Sequence, residues 1–180
     1  ELRGKKLGVV GFGSIGQAVT KRALAWGMEV GYCDPGKPET SLELSFAGGQ
    51  AIGIGLKHAD LKTLLASSDF VSLHTPAQED YLIGKKELGL MKKGGALINT
   101  ARGGLVDEAA LLEALDTGHL SFAALDVFEA EPAPPVALLM HPALSLSPHI
   151  GASTREAQER IGVELAEQII KLLNNPGGRA

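Results

Sequence analysis

The sequence predicts an α/β fold, a doubly wound parallel sheet of about seven strands with helices on both faces. Three observations carry this. Short apolar runs alternate with stretches whose apolar residues recur at helical spacing. The runs are continuous rather than alternating, so their strands are covered on both sides. The first run passes directly into a glycine-rich turn that opens the first helical stretch.

The elements follow in order. Lys6–Val10 reads as a short buried strand, and residues 14–26 place Ile15, Ala18, Val19, Arg22, Ala23 and Trp26 at helical spacing. Glu29–Cys33 reads as a second strand, closed by the turn Asp34-Pro35-Gly36. Residues 37–49 show no clear period, and residues 50–54 read as a weak third strand. A helix follows over 60–67 with Asp60 as its cap, then a strand over Phe70–Leu73. Residues 85–91 form a short helix stopped by Gly94-Gly95, and residues 96–99 a strand. Asp107 caps a helix over 108–115 that Gly118 ends. Residues 122–126 and 145–147 read as strands, and residues 153–173 as a long final helix. The stretch Glu131-Pro132-Ala133-Pro134-Pro135 reads as a stiff loop.

Bulk properties narrow the function. The 180 residues fit one domain, expected over residues 1–180, with 44% apolar and 21% charged residues, as in ordinary globular chains. Aromatic residues make up only 4%, so Ala, Leu, Val and Ile must build the core. A net charge of −4 without a Lys/Arg block argues against a nucleic-acid partner. No apolar run approaches the roughly 18–20 residues of a membrane span, and no signal-peptide pattern opens the chain. The single cysteine, Cys33, forms no internal disulfide, so the expected setting is the reducing cytoplasm. The five histidines lack metal-ligand spacing, and no metal is expected. The chain starts at Glu1 rather than Met and enters strand-like sequence at once, so the expectation is a piece of a longer protein.

The glycine-rich turn is Gly11-Phe12-Gly13-Ser14-Ile15-Gly16. It follows a strand and opens a helix, the context of a Rossmann-like dinucleotide site. Gly11 suits the tight turn, Gly13 the close approach of a pyrophosphate, and Gly16 close packing of helix on strand. The Ser14 and Ile15 amides sit where a helix N-terminus attracts phosphate. Asp34, 18 residues after Gly16, is placed to bond a ribose diol and to repel a 2′-phosphate. NAD is therefore favoured, with Lys37 keeping NADP open.

Three groups follow apolar runs between Asn99 and Gly151. Arg102 offers a planar guanidinium for a carboxylate, with Gly103 and Gly104 leaving room for a ligand beside it. His149 suits proton transfer near neutral pH. Glu129 and Glu131 compete as the acid that bonds the other imidazole nitrogen, and spacing alone leaves both open. His58, His74, His119 and His141 read as non-catalytic. Together these point to hydride exchange between a nicotinamide cofactor and a hydroxy acid.

These motifs, with His74-Thr75-Pro76, Asn99–Gly104, Val106-Asp107-Glu108, Ala124–Pro132 and Pro148–Gln158, resemble the nucleotide-binding domain of the D-isomer-specific 2-hydroxyacid dehydrogenases. The resemblance covers nearly the whole chain. It implies that Arg102 orients the substrate carboxylate, that His149 exchanges the proton and that Glu131 is the histidine's partner. It implies cofactor contacts from Gly11, Gly13, Ser14, Ile15, Gly16, Asp34, Pro76, Thr100, Ala101, Arg102, Asp126, His149, Gly151 and Ala152. Asp126 is expected near the nicotinamide carboxamide. The segment His149-Ile150-Gly151-Ala152-Ser153-Thr154, with Glu156-Ala157-Gln158, resembles the phosphoglycerate branch, implying oxidation of 3-phosphoglycerate in serine biosynthesis. Other D-2-hydroxy acids, and an NAD-sensing corepressor-like module, are the rival readings. Residues 77–81 depart from the family form, being shorter and without its threonines. Relatives carry a second domain that closes over the cofactor and is expected to lie outside these residues, leaving this piece able to bind NAD but poorly active. A face of the final helix carrying Ile161, Leu165, Ile169, Ile170 and Leu173 is then exposed. The resemblance also implies a homodimer through this domain, with the Pro-rich loop and Leu138–Met140 as candidate contacts.

Overall fold

Leu7 and Val9 of β1 (Lys6–Val10) are buried on one face of the sheet and Val10 on the other, so this strand is covered on both sides. In the computed structural model residues 1–37, 41–45 and 47–174 are described. The chain divides into two units, Glu1–Pro148 and His149–Ala180.

In the first unit α1 (Ser14–Ala25) leads to β2 (Glu29–Cys33), which pairs parallel to β1. β3 (Ser41–Ser45) and β4 (Ala51–Gly55) form a separate antiparallel ribbon. The two-residue β5 (Lys57–His58) adds to the outer edge of β2. After α2 (Leu61–Ser67) the chain returns to the other side of β1 as β6 (Phe70–Leu73). Next come α3 (Lys85–Leu90), β7 (Gly95–Asn99), α4 (Glu108–Asp116) and β8 (Leu120–Leu125). The short α5 (Val136–Leu139) and β9 (Leu144–Leu146) complete the unit. The seven-stranded sheet has the order β5-β2-β1-β6-β7-β8-β9, with every pair parallel. The strand order reverses between β1 and β6, so their carboxyl ends flank the crevice where such sheets bind ligands.

Two apolar clusters sandwich the sheet. On one face Ala23 of α1 packs with Leu7, Val9, Phe12, Met28, Tyr32 and Leu42. On the other, Leu64 and Leu65 of α2, Leu88 of α3 and Leu111 of α4 pack against Val10, Val71, Leu73, Leu97 and Leu125. Each fully buried large side chain contributes about 1.5–3 kcal/mol. Asp60 and Asp107 cap their helices by accepting from the Thr63 and Ala110 amides, both at 2.9 Å. Gly118, at φ 68°, ends α4.

The strand expected at residues 50–54 forms, but outside the sheet. Its alternation of Ile52, Gly53, Ile54 and Gly55 suits a ribbon with one wet face, and Leu42, opposite Ile54, supplies the buried contact. The seventh parallel strand is instead Lys57–His58, too short to show a period. Residues 38–40 and 46 of the unreadable stretch lie outside the described residues. Helix α5 was not expected, because four residues carry no helical period. It buries Leu138 and exposes Val136, Leu139 and Met140, so only two of the three residues 138–140 offer a surface.

In the second unit α6 (Arg155–Asn174) buries none of its side chains. Ile161, Leu165, Ile169, Ile170 and Leu173 are exposed. No helix among the described residues is long and apolar enough to cross a membrane. Among the same residues no group of three or more His, Cys, Asp or Glu could hold a metal ion.

Two features yield stability predictions. A Cβ on Gly8 of β1 would lie 2.5 Å from Ser68 Oγ and 3.0 Å from Leu64 Cγ. Gly8→Ala is expected to destabilise the chain by about 1–3 kcal/mol. Adding Ser68→Ala should recover part of that loss in urea denaturation, whereas simple additivity would contradict the proposed collision. His74, just after β6, shares a 2.9 Å hydrogen bond with Ser72 Oγ through Nε2, while its buried Nδ1 has no partner. Burial pushes its imidazole below the ordinary histidine range. The unfolded chain therefore takes up this proton first, near pH ~6.5, and stability is lost as pH falls from there toward the folded-state value. His74→Gln should remove that component of the acid loss; identical pH slopes for variant and wild type would exclude it.

Candidate functional site

The carboxyl end of β1 enters the nucleotide turn, and each glycine there has a distinct physical reason. Gly11 sits at φ 89°, and a Cβ on it would run into the His74 carbonyl at the end of β6. A Cβ on Gly16 would overlap the Gly11 carbonyl and lie 3.2 Å from Val9 Cγ1, so α1 packs directly on the strand. Gly13 differs: a Cβ there would meet nothing within 4 Å. Gly13 is also the N-cap of α1, no side chain caps that end, and no acidic residue occupies the first turn. Ser14 and Ile15 are exposed. The first-turn amides thus face open space at the positive end of the helix, an arrangement that fits a pyrophosphate.

Asp34 is tied to the same turn. Its Oδ2 accepts from the Phe12 amide (2.7 Å) and its Oδ1 from the Gly36 amide (2.9 Å). The Phe12 carbonyl accepts from Lys37 Nζ (2.9 Å) and Gln17 Nε2 (3.1 Å). Phe12 is fully buried, its ring 4.3 Å from that of Tyr32. The carboxylate is held at the carboxyl end of β2, with lone pairs remaining for ribose hydroxyls. Nothing in the spacing announced Gln17 or Lys37 as braces of the turn. Pro76 is exposed in the loop that follows β6.

At the end of β7, Asn99 is buried and organises the next three residues. Its Oδ1 accepts from the Ala101 amide (3.1 Å) and its Nδ2 donates to the Arg102 carbonyl (2.9 Å). Thr100 is exposed, whereas the Ala101 side chain lies in the core, leaving its main chain for any ligand. Arg102 is exposed and its Nη1 donates to the Ala101 carbonyl (2.6 Å). The expectation that Gly103 leaves room for a ligand is corrected: a Cβ there would overlap the Phe128 carbonyl oxygen. That space belongs to the loop after β8, while Gly104 adopts φ 76°.

The loop after β8 carries the acids. Asp126 is buried, donates its amide to the Asn99 carbonyl (3.0 Å) and accepts from Ser147 Oγ at Oδ1 (2.6 Å). Glu131 is exposed, and its Oε1 accepts from the Phe128 amide (3.0 Å). Glu129 turns elsewhere, its Oε1 accepting from the Glu108 amide (3.0 Å) and its Oε2 from the Tyr81 hydroxyl (3.1 Å). That bond and the Glu129 charge raise the Tyr81 hydroxyl above its ordinary range. Burial raises the Glu108 carboxyl, opposed by the bond from the Glu129 amide and reinforced by the Glu129 charge.

Within Glu1–Pro148, then, the expected nucleotide and substrate residues all follow the carboxyl ends of sheet strands. His149, Gly151 and Ala152 belong to the second unit and are exposed there. His149 takes φ 55°, left-handed backbone that is uncommon outside glycine. The turn continues through a Ser153 amide bond to the Ile150 carbonyl (3.0 Å), and Thr154 Oγ1 accepts from the Ala157 amide (3.1 Å) at the start of α6.

Comparison with known proteins agrees with this architecture. Residues 1–151 match the NAD-binding domain of the D-isomer specific 2-hydroxyacid dehydrogenases. Over 180 residues the sequence is 47% identical to a hydroxypyruvate reductase of Thermotoga maritima, covering 96% of this chain and 54% of that protein. It is 43% identical to a D-3-phosphoglycerate dehydrogenase of Bacillus subtilis, covering 95% of this chain and 31% of that one. The crystal structure of a glyoxylate reductase from Paecilomyes thermophila superposes with a TM-score of 0.81 at 35% identity, covering 95% of this chain and 50% of that one. The chain thus spans about half or less of the length of the curated relatives it matches. An open glycine turn, a carboxylate after β2 and this match together place the chain in the D-isomer specific 2-hydroxyacid dehydrogenase family, as its NAD-binding domain.

Proposed function

We propose that the protein acts as an NAD-dependent dehydrogenase of D-2-hydroxy acids, with residues 1–180 as its cofactor-binding part. The observation that carries this is the main-chain contact of Gly103 with Phe128, which puts the Arg102 loop against the Glu131 loop. In this reading the Ser14 and Ile15 amides and Asp34 hold the dinucleotide, and Asp126, steadied by Ser147, receives the carboxamide. Bound NAD supplies the two-electron acceptor for hydride from the carbinol carbon. Arg102 holds the substrate carboxylate through its planar guanidinium. His149 takes the hydroxyl proton on one imidazole nitrogen during oxidation and returns it during reduction. Glu131 bonds the other imidazole nitrogen and stabilises the imidazolium. The engagement of Glu129 with Glu108 and Tyr81 supports giving this role to Glu131.

For the substrate we propose 3-phosphoglycerate, oxidised to 3-phosphohydroxypyruvate in serine biosynthesis. The His149–Gln158 segment and the 43% identity to the Bacillus subtilis enzyme support it. Reduction of hydroxypyruvate is the second reading, favoured by the 47% identity to the Thermotoga maritima reductase. Exposed Val136, Leu139 and Met140 support a homodimer, and the single buried thiol of Cys33 suits a cytoplasmic setting.

Cofactor binding is testable on this chain by calorimetric titration. NADH should bind in preference to NADPH, and Asp34→Ala should weaken NADH by about tenfold or more, about 1.4 kcal/mol. Gly13→Ala should leave the melting temperature near wild type yet weaken NADH, because only the ligand needs that space. Gly11→Ala should lower the melting temperature itself. Equal effects of both glycine variants on folding would contradict the assignment.

Catalysis is testable on the protein as its gene encodes it. Arg102→Gln, Glu131→Gln and His149→Asn should each lower kcat/KM by about 100-fold or more, well beyond any loss in NADH affinity. Rates with 3-phosphohydroxypyruvate, hydroxypyruvate and glyoxylate then choose between the two substrate readings.

A further inference from the structure

A second pair of acids holds the loop that carries Glu131. The Glu108 amide donates to Glu129 Oε1 at 3.0 Å, and the Glu129 amide donates back to Glu108 Oε1 at 2.8 Å. Neither amide has a partner in regular structure: Glu108 opens α4, and Glu129 lies beyond the end of β8. Each carboxylate therefore satisfies the other residue's main chain and closes a two-point clasp between helix and loop. The Tyr81 hydroxyl takes the remaining Glu129 oxygen at 3.1 Å, drawing the loop before α3 into the same cluster. Asp107 caps α4 beside it, accepting from Ala110 rather than from the clasp. One residue, Ala130, separates Glu129 from Glu131. The Glu131 carboxylate bonds the Phe128 amide, so the two successive amides just before Ala130, Phe128 and Glu129, are both held by carboxylates.

The pairing is costly for a merely structural fastening. Glu108 is buried, and burial holds its carboxyl above the ordinary range even though the bond from the Glu129 amide lowers it. The clasp needs oxygen acceptors in place for two amides and the Tyr81 hydroxyl, which an amide side chain supplies as well as an acid does. The geometry that results, however, is tight and local to Glu131.

We propose that Glu108 and Glu129 are positioning residues for Glu131, their reciprocal amide–carboxylate clasp fixing the loop from which Glu131 is presented. This rests on the reading of Glu131 as the acid that acts with the histidine.

The test is steady-state reduction of hydroxypyruvate and 3-phosphohydroxypyruvate by the protein as its gene encodes it, with NADH affinity measured in parallel. Glu108→Ala and Glu129→Ala should each lower kcat by about tenfold or more while NADH affinity stays within about twofold. The double variant should be no worse than the poorer single one, because either change opens the same clasp. Glu108→Gln and Glu129→Gln keep an acceptor oxygen and should restore kcat to within about threefold of wild type. Hydrogen exchange at the Phe128 and Glu129 amides should rise in the alanine variants and not in the glutamine ones. If Glu131→Gln impairs turnover but both clasp alanine variants keep full kcat, the clasp proposal fails alone. If the glutamine variants lose as much as the alanine ones, positioning through the clasp is overturned. If Glu131→Gln itself keeps full activity, the role of Glu131 fails first and the proposal with it.

Discussion

At three places along the carboxyl edge of the sheet, main chain touches main chain with no room for a Cβ. Gly11 meets the His74 carbonyl, Gly16 meets the Gly11 carbonyl, and Gly103 meets the Phe128 carbonyl. The first contact joins the end of β1 to the end of β6, the pair at which the strand order reverses. The second seats the first turn of α1 on its own strand. The third joins the loops after β7 and β8. Because backbone atoms cannot change rotamer, these contacts leave little freedom in where each loop lies. Arg102, Asp126 and Glu131 leave the chain within a few residues of them, so close approach fixes the course of each loop once the strands are in register.

The helix ends around this edge are treated in two ways. The N-terminus of α2 is met by Asp60, and that of α4 by Asp107 and the Glu129 carboxylate. These acids satisfy orphan amides and oppose the positive end of each helix. α1 has neither: its N-cap is Gly13, with no cap side chain and no acid in the first turn. The same physical demand exists at all three ends. Only at α1 is it left for something outside the chain, and an anion is what that end attracts. Asp34 does not cap this end, because its two oxygens accept from the Phe12 and Gly36 amides instead.

How much of this was legible follows the range of the signal. Strands such as β7 and β8 announce themselves through the unbroken apolar runs of residues 96–98 and 122–125, and Asp60 and Asp107 announce their helices through local hydrogen bonds. Residues 50–54 were readable as a strand but not as a strand outside the sheet, because pairing partners are set by tertiary contact of Leu42 with Tyr32 and Phe12. The roles of Gly103 and Glu129 were opaque for the same reason. Gly103 looked like space for a ligand until Phe128, 25 positions away, was seen to occupy it. Glu129 looked equivalent to Glu131 until Glu108 and Tyr81 were found to engage it. Turn glycines and caps are local; close approach and acid pairing are not.

Register carries the local signals into a site. Asn99 of β7 pairs with Leu125 of β8, so the turn that Asn99 organises falls beside Asp126. The Asp126 amide then donates to the Asn99 carbonyl, and Ser147, after β9, reaches back to the Asp126 carboxylate. A one-residue slip between β7 and β8 would turn every β8 side chain to the opposite face and break each of these bonds. Leu97, Ala123 and Leu125 of the buried face oppose that slip with the full cost of exposing the core. The apolar residues that contribute nothing to chemistry are therefore what holds Arg102, Asp126 and Glu131 in one neighbourhood. The polar bonds among those loops only refine a placement that core burial has already imposed.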